Sequence, residues 1–178
     1  PRVVAMIRSD LRAIPGYVPG ARHDDALKLS SNEATQPPLP EAAEAMARAA
    51  AEANRYPDIA ATELREDLAE HLGVSFDQVA VGTGSSALCQ QLVQITTRPG
   101  EEVIFPWRSF EAYPIFAQVV GARPIPVPLD ADQRVDLPAM AEKITSDTRL
   151  IFVCNPNNPS GTTVTKAEFS EFMDAVPG

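Results

Sequence analysis

The chain has 178 residues, of which 44% are hydrophobic and 22% are charged, which is the composition of a folded globular protein and not of a disordered one. The formal net charge of −9 argues against the basic surface that a nucleic-acid partner requires. Two cysteines and two histidines without metal-ligand spacing argue against a disulfide framework and a metal site. No apolar run approaches the roughly 18 residues of a membrane span and the start carries no signal-peptide pattern, so we expect a cytoplasmic protein without a membrane partner.

The first 75 residues are predicted to be helical and irregular, without a strong strand. The 17 prolines occur in short clusters that mark turns between elements. One cluster, 37–40, precedes an alanine-rich helix predicted over about 41–54, because proline is tolerated at a helix start. A second helix is predicted over about 62–72, and Gly73 ends it.

From residue 78 onward, strands alternate with helices. The predicted strands are 78–81, 102–105, 124–128 and 150–154. The predicted helices are 85–96, 110–120, about 136–144 and a last helix that starts at a capping box of Thr165 and Glu168. Ser85 is the expected N-cap of its helix, alternate prolines make 124–128 an edge or irregular strand, and the apolar 150–154 is expected to be buried on both faces. The alternation predicts an α/β fold with a mainly parallel sheet.

The turn after the first predicted strand has the sequence Gly82-Thr83-Gly84-Ser85-Ser86-Ala87. Backbone N–H groups and the helix dipole at such a turn favour an anion, typically a phosphate. The spacing also matches a dinucleotide fingerprint, which would indicate a nucleotide-binding oxidoreductase. That fingerprint needs an acidic residue at the end of the next strand, where this chain has Phe105-Pro106-Trp107. A tight turn without a ligand is the structural alternative.

Two further loops follow predicted strands. Residues 155–161, with the sequence Asn-Pro-Asn-Asn-Pro-Ser-Gly, follow strand 150–154, and residues 107–113 carry three aromatic side chains after strand 102–105. Ligands of open α/β sheets bind outside the carboxyl ends of the strands, and an aromatic ring exposed there can stack on a planar ligand. A rigid turn and a purely core role for the aromatic residues are the alternatives.

Together these features resemble the fold-type-I, pyridoxal-phosphate-dependent aminotransferases of the histidinol-phosphate branch. The resemblance rests, in chain order, on Asn54-Arg55-Tyr56-Pro57, the Gly84-Ser85-Ser86 turn, the aromatic residues around Phe110 and the 155–161 loop. Within that branch, residues 88–92 and 107–113 are most similar to the actinobacterial aromatic (phenylalanine) aminotransferases. The resemblance implies transfer of an amino group between an aromatic amino acid and a 2-oxo acid through pyridoxal phosphate. Histidinol-phosphate aminotransferase is the alternative with the same chemistry.

The resemblance implies roles for five residues that follow predicted strands. Gly84, Ser85 and Ser86 would bind the cofactor phosphate at a helix N-terminus. Phe110 would stack on the pyridine ring, and Asn158 would hydrogen-bond the phenolic oxygen of that ring. The branch more often has tyrosine at the position of Phe110, so a hydroxyl contact is lost here.

Three residues nearer the N-terminus also match family positions. Tyr56 resembles the tyrosine that reaches the phosphate of the neighbouring subunit's cofactor, which implies a homodimer. Tyr17 and Asn32 match positions that line the substrate pocket, so small-molecule amino acid and 2-oxo acid substrates are expected there.

The same resemblance makes this chain the first part of a longer protein. Residues 1–36 are expected to form an N-terminal arm that contributes to a small domain, and residues 37–178 the first half of the large, cofactor-binding domain. The Schiff-base lysine is expected beyond residue 178, so no catalytic residue is assigned within this chain, and the segment alone is predicted to be inactive. A non-catalytic binding or structural module is the remaining alternative.

The peptide bonds before two prolines of the 155–161 loop are predicted to differ. The family resemblance implies that the chain reverses sharply at Asn158–Pro159, and a cis bond makes that reversal within one residue. Asn155–Pro156 is expected to leave the strand in line and to be trans.

Overall fold

The computed structural model describes residues 8–16, 25–28 and 31–177. The chain divides into two compact units, one made of residues up to 15 together with residues from 82 onward, and the other of residues 16–81. The division into an arm (1–36) and a large domain (37–178) stays a prediction. No helix within the described ranges combines the length and the apolar composition that are needed to cross a bilayer.

The unit of residues 16–81 contains the two helices that the sequence predicts. Helix α1 is Pro40–Ala50 and starts at a proline, but it ends before the predicted residue 54, because residues 51–54 form a turn. Helix α2 is Thr62–Leu72, in agreement with the prediction. Gly73 ends α2 in the left-handed conformation, with φ of 67°, which glycine adopts without steric cost.

Residues 78–81 do not form the predicted strand. Phe76–Gln78 is a 3-10 helix, and the side chain of Gln78 closes a capping box with Ser75, whose backbone N–H donates to Gln78 Oε1 at 3.0 Å. Val79 is extended and buried, but among the described residues it pairs with no strand. Because a strand needs a neighbour for its backbone hydrogen bonds, a β-branched run alone is not sufficient.

Arg65 of α2 holds this segment in place. Its Nε donates to the Val79 carbonyl at 2.8 Å, and its Nη2 donates to the Phe76 carbonyl at 3.1 Å. The guanidinium also lies over the Phe76 ring, 3.8 Å from its centroid. A planar guanidinium can stack and donate at the same time. The end of this unit is thereby anchored to α2.

The other unit is a layered α/β structure. Its elements in chain order are a 3-10 helix Ser9–Ala13, α3 Gly84–Thr96, β1 Glu102–Trp107, α4 Ala112–Val120, β2 Arg123–Pro128, α5 Leu137–Glu142, β3 Thr148–Ile151 and α6 Lys166–Ala175. The three strands are parallel and lie in the order β2-β1-β3. The predicted α/β fold with a parallel sheet, and the edge position of the proline-rich strand, are confirmed.

Strand β1 lies at the centre of the sheet, paired with β2 on one edge and with β3 on the other, and its apolar residues alternate between two cores. Val103 and Phe105 pack with residues of α3 and α4. Ile104 points to the other face and packs with Met140 of α5 and Phe172 of α6. Successive side chains of a strand point to opposite faces, so a continuous apolar strand is covered by helices on both sides. Burial of each such side chain stabilises the fold by about 1.5–3 kcal/mol.

Strand β3 is shorter and less buried than predicted. It spans Thr148–Ile151 instead of 150–154, and its residues are half-buried or exposed. It pairs with β1 along one edge, and no strand of the described ranges covers its other edge. An apolar run predicts that a strand forms, but it carries no information about how many of its edges and faces are covered within this chain.

The helices after β2 and β3 begin with side-chain caps, and the cap of α6 is the capping box that the sequence predicts. The Asp136 carboxylate accepts from the backbone N–H of Ala139 at 2.9 Å at the start of α5. Thr165 and Glu168 form the capping box of α6. Glu168 also accepts two hydrogen bonds from Arg134 Nη2, at 2.8 and 3.0 Å. The backbone N–H of Thr165 and the Arg134 guanidinium lower the pKa of Glu168 to about 2.

Candidate functional site

The predicted phosphate-binding turn lies at the N-terminus of α3. Gly84 is the first residue of the helix and has φ of +73°, and a Cβ placed on it would meet no atom within 4 Å. This backbone conformation strongly favours glycine. The N-cap is Thr83 and not Ser85 as predicted, because the left-handed Gly84 already turns the chain into the helix.

Hydrogen-bond donors without partners are concentrated at this end of α3. Ser85 and Ser86 are exposed, and their hydroxyls have no hydrogen-bond partner among the described residues. The Thr83 side chain makes no capping bond, and the first turn contains no acidic residue. The backbone N–H of Gly84 donates to the Gly82 carbonyl at 2.7 Å, whereas the amides of Ser85 and Ser86 have no partner among the described residues, as is usual in the first turn of a helix. Amides and hydroxyls together therefore form a donor set that suits a phosphate group.

The segment between β1 and α4 carries the predicted aromatic residues. Phe110 is half-buried and makes edge contacts with Tyr113 and Phe116, with ring centroids 5.5 and 6.5 Å apart. Tyr113 is buried and stacks on Phe152, with centroids 4.3 Å apart. Tyr113 is thus a core residue, whereas Phe110 is held from the side and keeps part of its ring accessible.

Two free cysteines lie beside Tyr113. Cys89 of α3 and Cys154 after β3 are half-buried and pack against the core that contains this tyrosine. Burial raises the pKa of the Cys89 thiol and of the Tyr113 phenol, and the nearby Cys154 sulfur raises that of the phenol further. Cys89 and Tyr113 are therefore uncharged near neutral pH and contribute to packing. The described ranges contain no cluster of His, Cys, Asp or Glu that could hold a metal ion.

Asparagine side chains fold the 155–161 loop onto itself. The Asn155 carboxamide donates to the Val164 carbonyl and accepts from the Val164 N–H, both at 3.1 Å. Asn157 is only 2% exposed and makes two backbone hydrogen bonds across the loop, of 2.8 and 2.7 Å. Asn158 is exposed, and its side chain has no partner in the described part of the chain. Two asparagines therefore build the loop, and the third is available to a ligand.

Both Asn–Pro peptide bonds of this loop are cis. The prediction for Asn158–Pro159 is confirmed, and the prediction of a trans bond at Asn155–Pro156 is wrong. The wrong prediction assumed a strand that continues to residue 154, whereas β3 already ends at Ile151.

The loops that carry the predicted residues lie at one edge of the sheet. Strands β1 and β3 are parallel, so their carboxyl ends lie at the same edge of the sheet. The loops with Phe110 and Asn158 follow these two strand ends. Cys89, one helical turn after Ser85, packs against the same core as Phe110. Cys89 also lies near Cys154, which follows the carboxyl end of β3, so the start of α3, with the predicted Gly84, Ser85 and Ser86, is on the side of this edge.

The other predicted residues do not belong to this unit. Tyr56 lies in the unit of residues 16–81 and is fully exposed. Asn32 lies in the same unit and is exposed, with φ of 49°. Tyr17 lies outside the described residues. The site roles of all eight residues stay predictions.

Comparison with protein-family models matches residues 24–177 to the family described as aminotransferase class I and II. The chain belongs to this family. It is 69% identical over 172 residues to an aromatic amino acid aminotransferase of Corynebacterium diphtheriae, and 58% identical over 170 residues to one of Rhodococcus jostii. These alignments cover 97% and 96% of this chain but 50% and 48% of the relatives. The chain thus spans about half the length of the curated relatives it matches.

Solved aminotransferase structures share the fold. Histidinol-phosphate aminotransferase from Sinorhizobium meliloti, solved in complex with pyridoxal-5′-phosphate, superposes with a TM-score of 0.74 and 28% identity. An alanine aminotransferase from Pyrococcus furiosus superposes with a TM-score of 0.72 and 25% identity. Each superposition covers 79% of this chain and 38% of the other. The predicted family and its fold-type-I architecture are confirmed, and the oxidoreductase alternative loses its support.

A side-chain hydrogen bond that the sequence does not predict joins the two loops. Asn157 Nδ2 donates to the Arg108 carbonyl at 3.1 Å and to Ser160 Oγ at 2.8 Å. Ser109 Oγ and Asn157 Oδ1 are buried and have no partner in the described part of the chain. The presence of three asparagines in one short loop is a signal that more than one of their carboxamides forms a specific hydrogen bond. The bond to Arg108 spans 49 positions, however, and no local pattern predicts it.

Proposed function

We propose that this chain forms the N-terminal, cofactor-binding part of a pyridoxal-phosphate-dependent aminotransferase that acts on aromatic amino acids. Membership of the aminotransferase family and the names of relatives that are 58–69% identical support this proposal. The observation that carries it is the start of α3, where two serine hydroxyls without partners follow a left-handed glycine and no acidic residue occurs in the first turn. Such a helix end suits the phosphate by which the cofactor is anchored.

Each residue at the sheet edge has a distinct task in this proposal. Ser85 and Ser86 bind the phosphate through backbone amides and hydroxyls, and Gly84, whose own N–H donates to the Gly82 carbonyl at 2.7 Å, lets the phosphate approach the backbone without a side chain in between. The accessible part of the Phe110 ring stacks on the pyridine ring, and the Asn158 carboxamide donates to its phenolic oxygen. When bound, pyridoxal phosphate supplies an electron-withdrawing ring that stabilises negative charge at the α-carbon of the substrate. The lysine that holds the cofactor covalently is expected beyond residue 178.

The curated relatives favour an aromatic amino acid and a 2-oxo acid as substrates. The relatives at 58–69% identity are named for aromatic amino acids, whereas the solved histidinol-phosphate aminotransferase is 28% identical. Histidinol phosphate is therefore the second candidate substrate. Asn32 and Tyr17 are proposed to line the substrate pocket in either case.

A homodimer and a cytoplasmic location complete the proposal. Tyr56 and Ile59, three positions apart in the chain, are fully exposed, and exposed large apolar side chains are common at subunit contacts. In the proposed dimer, Tyr56 reaches the cofactor phosphate of the other subunit. We expect small-molecule substrates and no nucleic-acid partner.

The proposal is tested with the full-length protein. We expect the protein to bind pyridoxal phosphate, to sediment as a dimer, and to transaminate phenylpyruvate faster than imidazole acetol phosphate. The opposite order of rates would establish the histidinol-phosphate alternative. Absence of cofactor binding would overturn the proposal as a whole.

A further inference from the structure

We propose that Asn157 is a positioning residue, which sets Phe110 and Asn158 relative to each other so that both can engage the cofactor ring. This inference rests on the function proposed above. It assigns to Asn157 no contact with the cofactor, because its side chain is 2% exposed and its Nδ2 is bonded to protein groups.

The Asn157 carboxamide connects the two loops through its nitrogen. One N–H bond of Nδ2 points to the Arg108 carbonyl at 3.1 Å, in the loop after β1, and the other to Ser160 Oγ at 2.8 Å, in its own loop. Both donors of the amide are therefore used. Among the described residues, the bond to Arg108 is the one hydrogen bond between residues 107–111 and 155–161.

The residues on either side of this bond are those proposed to face the cofactor ring. Phe110 follows Arg108 by two positions, and Asn158 is the next residue after Asn157. Phe110 is half-buried and has ring contacts with Tyr113 and Phe116, and the Asn158 side chain has no partner in the described part of the chain. A shift of either loop would therefore change the separation between the stacking ring and the donor to the phenolic oxygen.

The carboxamide oxygen of Asn157 accepts no hydrogen bond, and this favours a positioning role for Asn157 over a role in stabilising the fold alone. Oδ1 is buried without a partner, which is uncommon and costs free energy. Leucine has a similar size and would avoid this cost, but it cannot donate to the Arg108 carbonyl. Aspartate keeps the shape and places a negative oxygen against that carbonyl. Position 157 therefore requires a side chain with an N–H donor. The hydrogen bond from this donor to Arg108 connects the loops of Phe110 and Asn158, which are proposed to contact the cofactor ring.

The inference is tested in the full-length protein with Asn157→Leu, Asn157→Asp and a control, Asn155→Asp. Asn155 lies in the same loop and its Nδ2 donates to Val164, so the control also loses an amide donor without touching residues 107–111. Three quantities are measured: the cofactor dissociation constant, the pH midpoint of the change in the cofactor absorption band, and the melting temperature of the cofactor-free protein. The Asn158→Ala variant serves as the reference for loss of the contact to the phenolic oxygen.

We expect both Asn157 variants to weaken cofactor binding about tenfold or more and to move the pH midpoint in the same direction as Asn158→Ala. Asn158→Ala added to Asn157→Leu should have a smaller effect than Asn158→Ala alone, because residues that act through one contact are not additive. Asn155→Asp should lower the melting temperature and leave the pH midpoint unchanged. A lower melting temperature with unchanged affinity and midpoint in both Asn157 variants would overturn the inference. Failure of the unmodified protein to bind the cofactor would instead overturn the proposed function.

Discussion

The Asn157 carboxamide donates to the Arg108 carbonyl at 3.1 Å, although 49 positions separate the two residues. The bond joins the loops that follow two neighbouring parallel strands. Carboxyl ends of parallel strands form the usual ligand-binding edge of an open α/β sheet. A buried amide thus links two segments of that edge by a hydrogen bond.

Removing the two hydroxyls at the start of α3 is expected to weaken cofactor binding. In the full-length protein, Ser85→Ala combined with Ser86→Ala should cost about 1–3 kcal/mol of cofactor binding free energy, because each hydroxyl is expected to bond a charged phosphate. The dissociation constant is measured by spectroscopic titration. Ser170→Ala, an exposed serine on α6, is the matched control and should not change it. Unchanged affinity in the double variant would show that this turn does not bind the phosphate.

Arg65→Lys is expected to destabilise the protein in spite of the retained charge. Lysine cannot donate to the carbonyls of Val79 and Phe76 while stacking on the Phe76 ring, as Arg65 does. We expect a loss of about 1–2 kcal/mol in the free energy of unfolding, measured by chemical denaturation. Arg48→Lys is the control, since Arg48 makes an exposed contact of 3.9 Å with Glu44 that contributes little. Equal stability of the two variants would contradict this account of Arg65.

The Glu168 carboxylate is expected to make stability fall at acidic pH. The pKa of Glu168 is lowered to about 2 in the folded protein and is about 4.3 in an unfolded chain. The stabilisation of the folded protein by the Glu168 carboxylate is therefore fully present above the pKa of the unfolded chain. It is lost as the pH falls toward the pKa of the folded protein. Glu168→Gln keeps a residue that suits the capping box and removes the charge, so the melting temperature should depend less steeply on pH between about 5 and 3.

The control for this titration is Glu171→Gln. Glu171 is exposed on the same helix and has no salt-bridge partner in the described part of the chain. This variant should keep the pH dependence of the unmodified protein. If Glu168→Gln and Glu171→Gln change the slope equally, the pairing with Arg134 and Thr165 is not the cause.

The 178-residue chain alone is expected to form no covalent cofactor adduct at a single lysine. Lys143 lies at the end of α5, just before Thr145, which donates to Glu102 at the start of β1, and this is the opposite end of the sheet from the candidate site. Lys166 is the first residue of α6, and Lys28 forms an ion pair with Glu33. Covalent attachment needs an amine held against the cofactor aldehyde. Borohydride reduction followed by peptide mapping checks this, and a stoichiometric adduct at one of these lysines would contradict it.

Local sequence patterns determined most elements of the fold and the types of residue at the candidate site. The alternation of Val103, Ile104 and Phe105 between two faces, the proline-rich edge strand and the caps at Asp136 and Thr165 all follow from contacts within a few residues of chain. The glycine-serine turn at the start of α3 was predictable from a short motif, whereas the cis bond at Asn158–Pro159 was predicted from the family resemblance. Family membership followed from the order of these motifs along the chain.

Only the tertiary structure decided which of these segments have partners. Residues 78–81 have the composition of a strand, but no described strand pairs with them, and of the predicted strand 150–154 only residues 150 and 151 belong to β3, which is half-buried or exposed. The sequence also does not predict that Asn157 is buried and that Asn158 is exposed. The physical reason is that strand pairing and burial depend on groups brought close by folding. The carbonyl of Arg108, for example, becomes the neighbour of Asn157 only when β1 and β3 lie side by side.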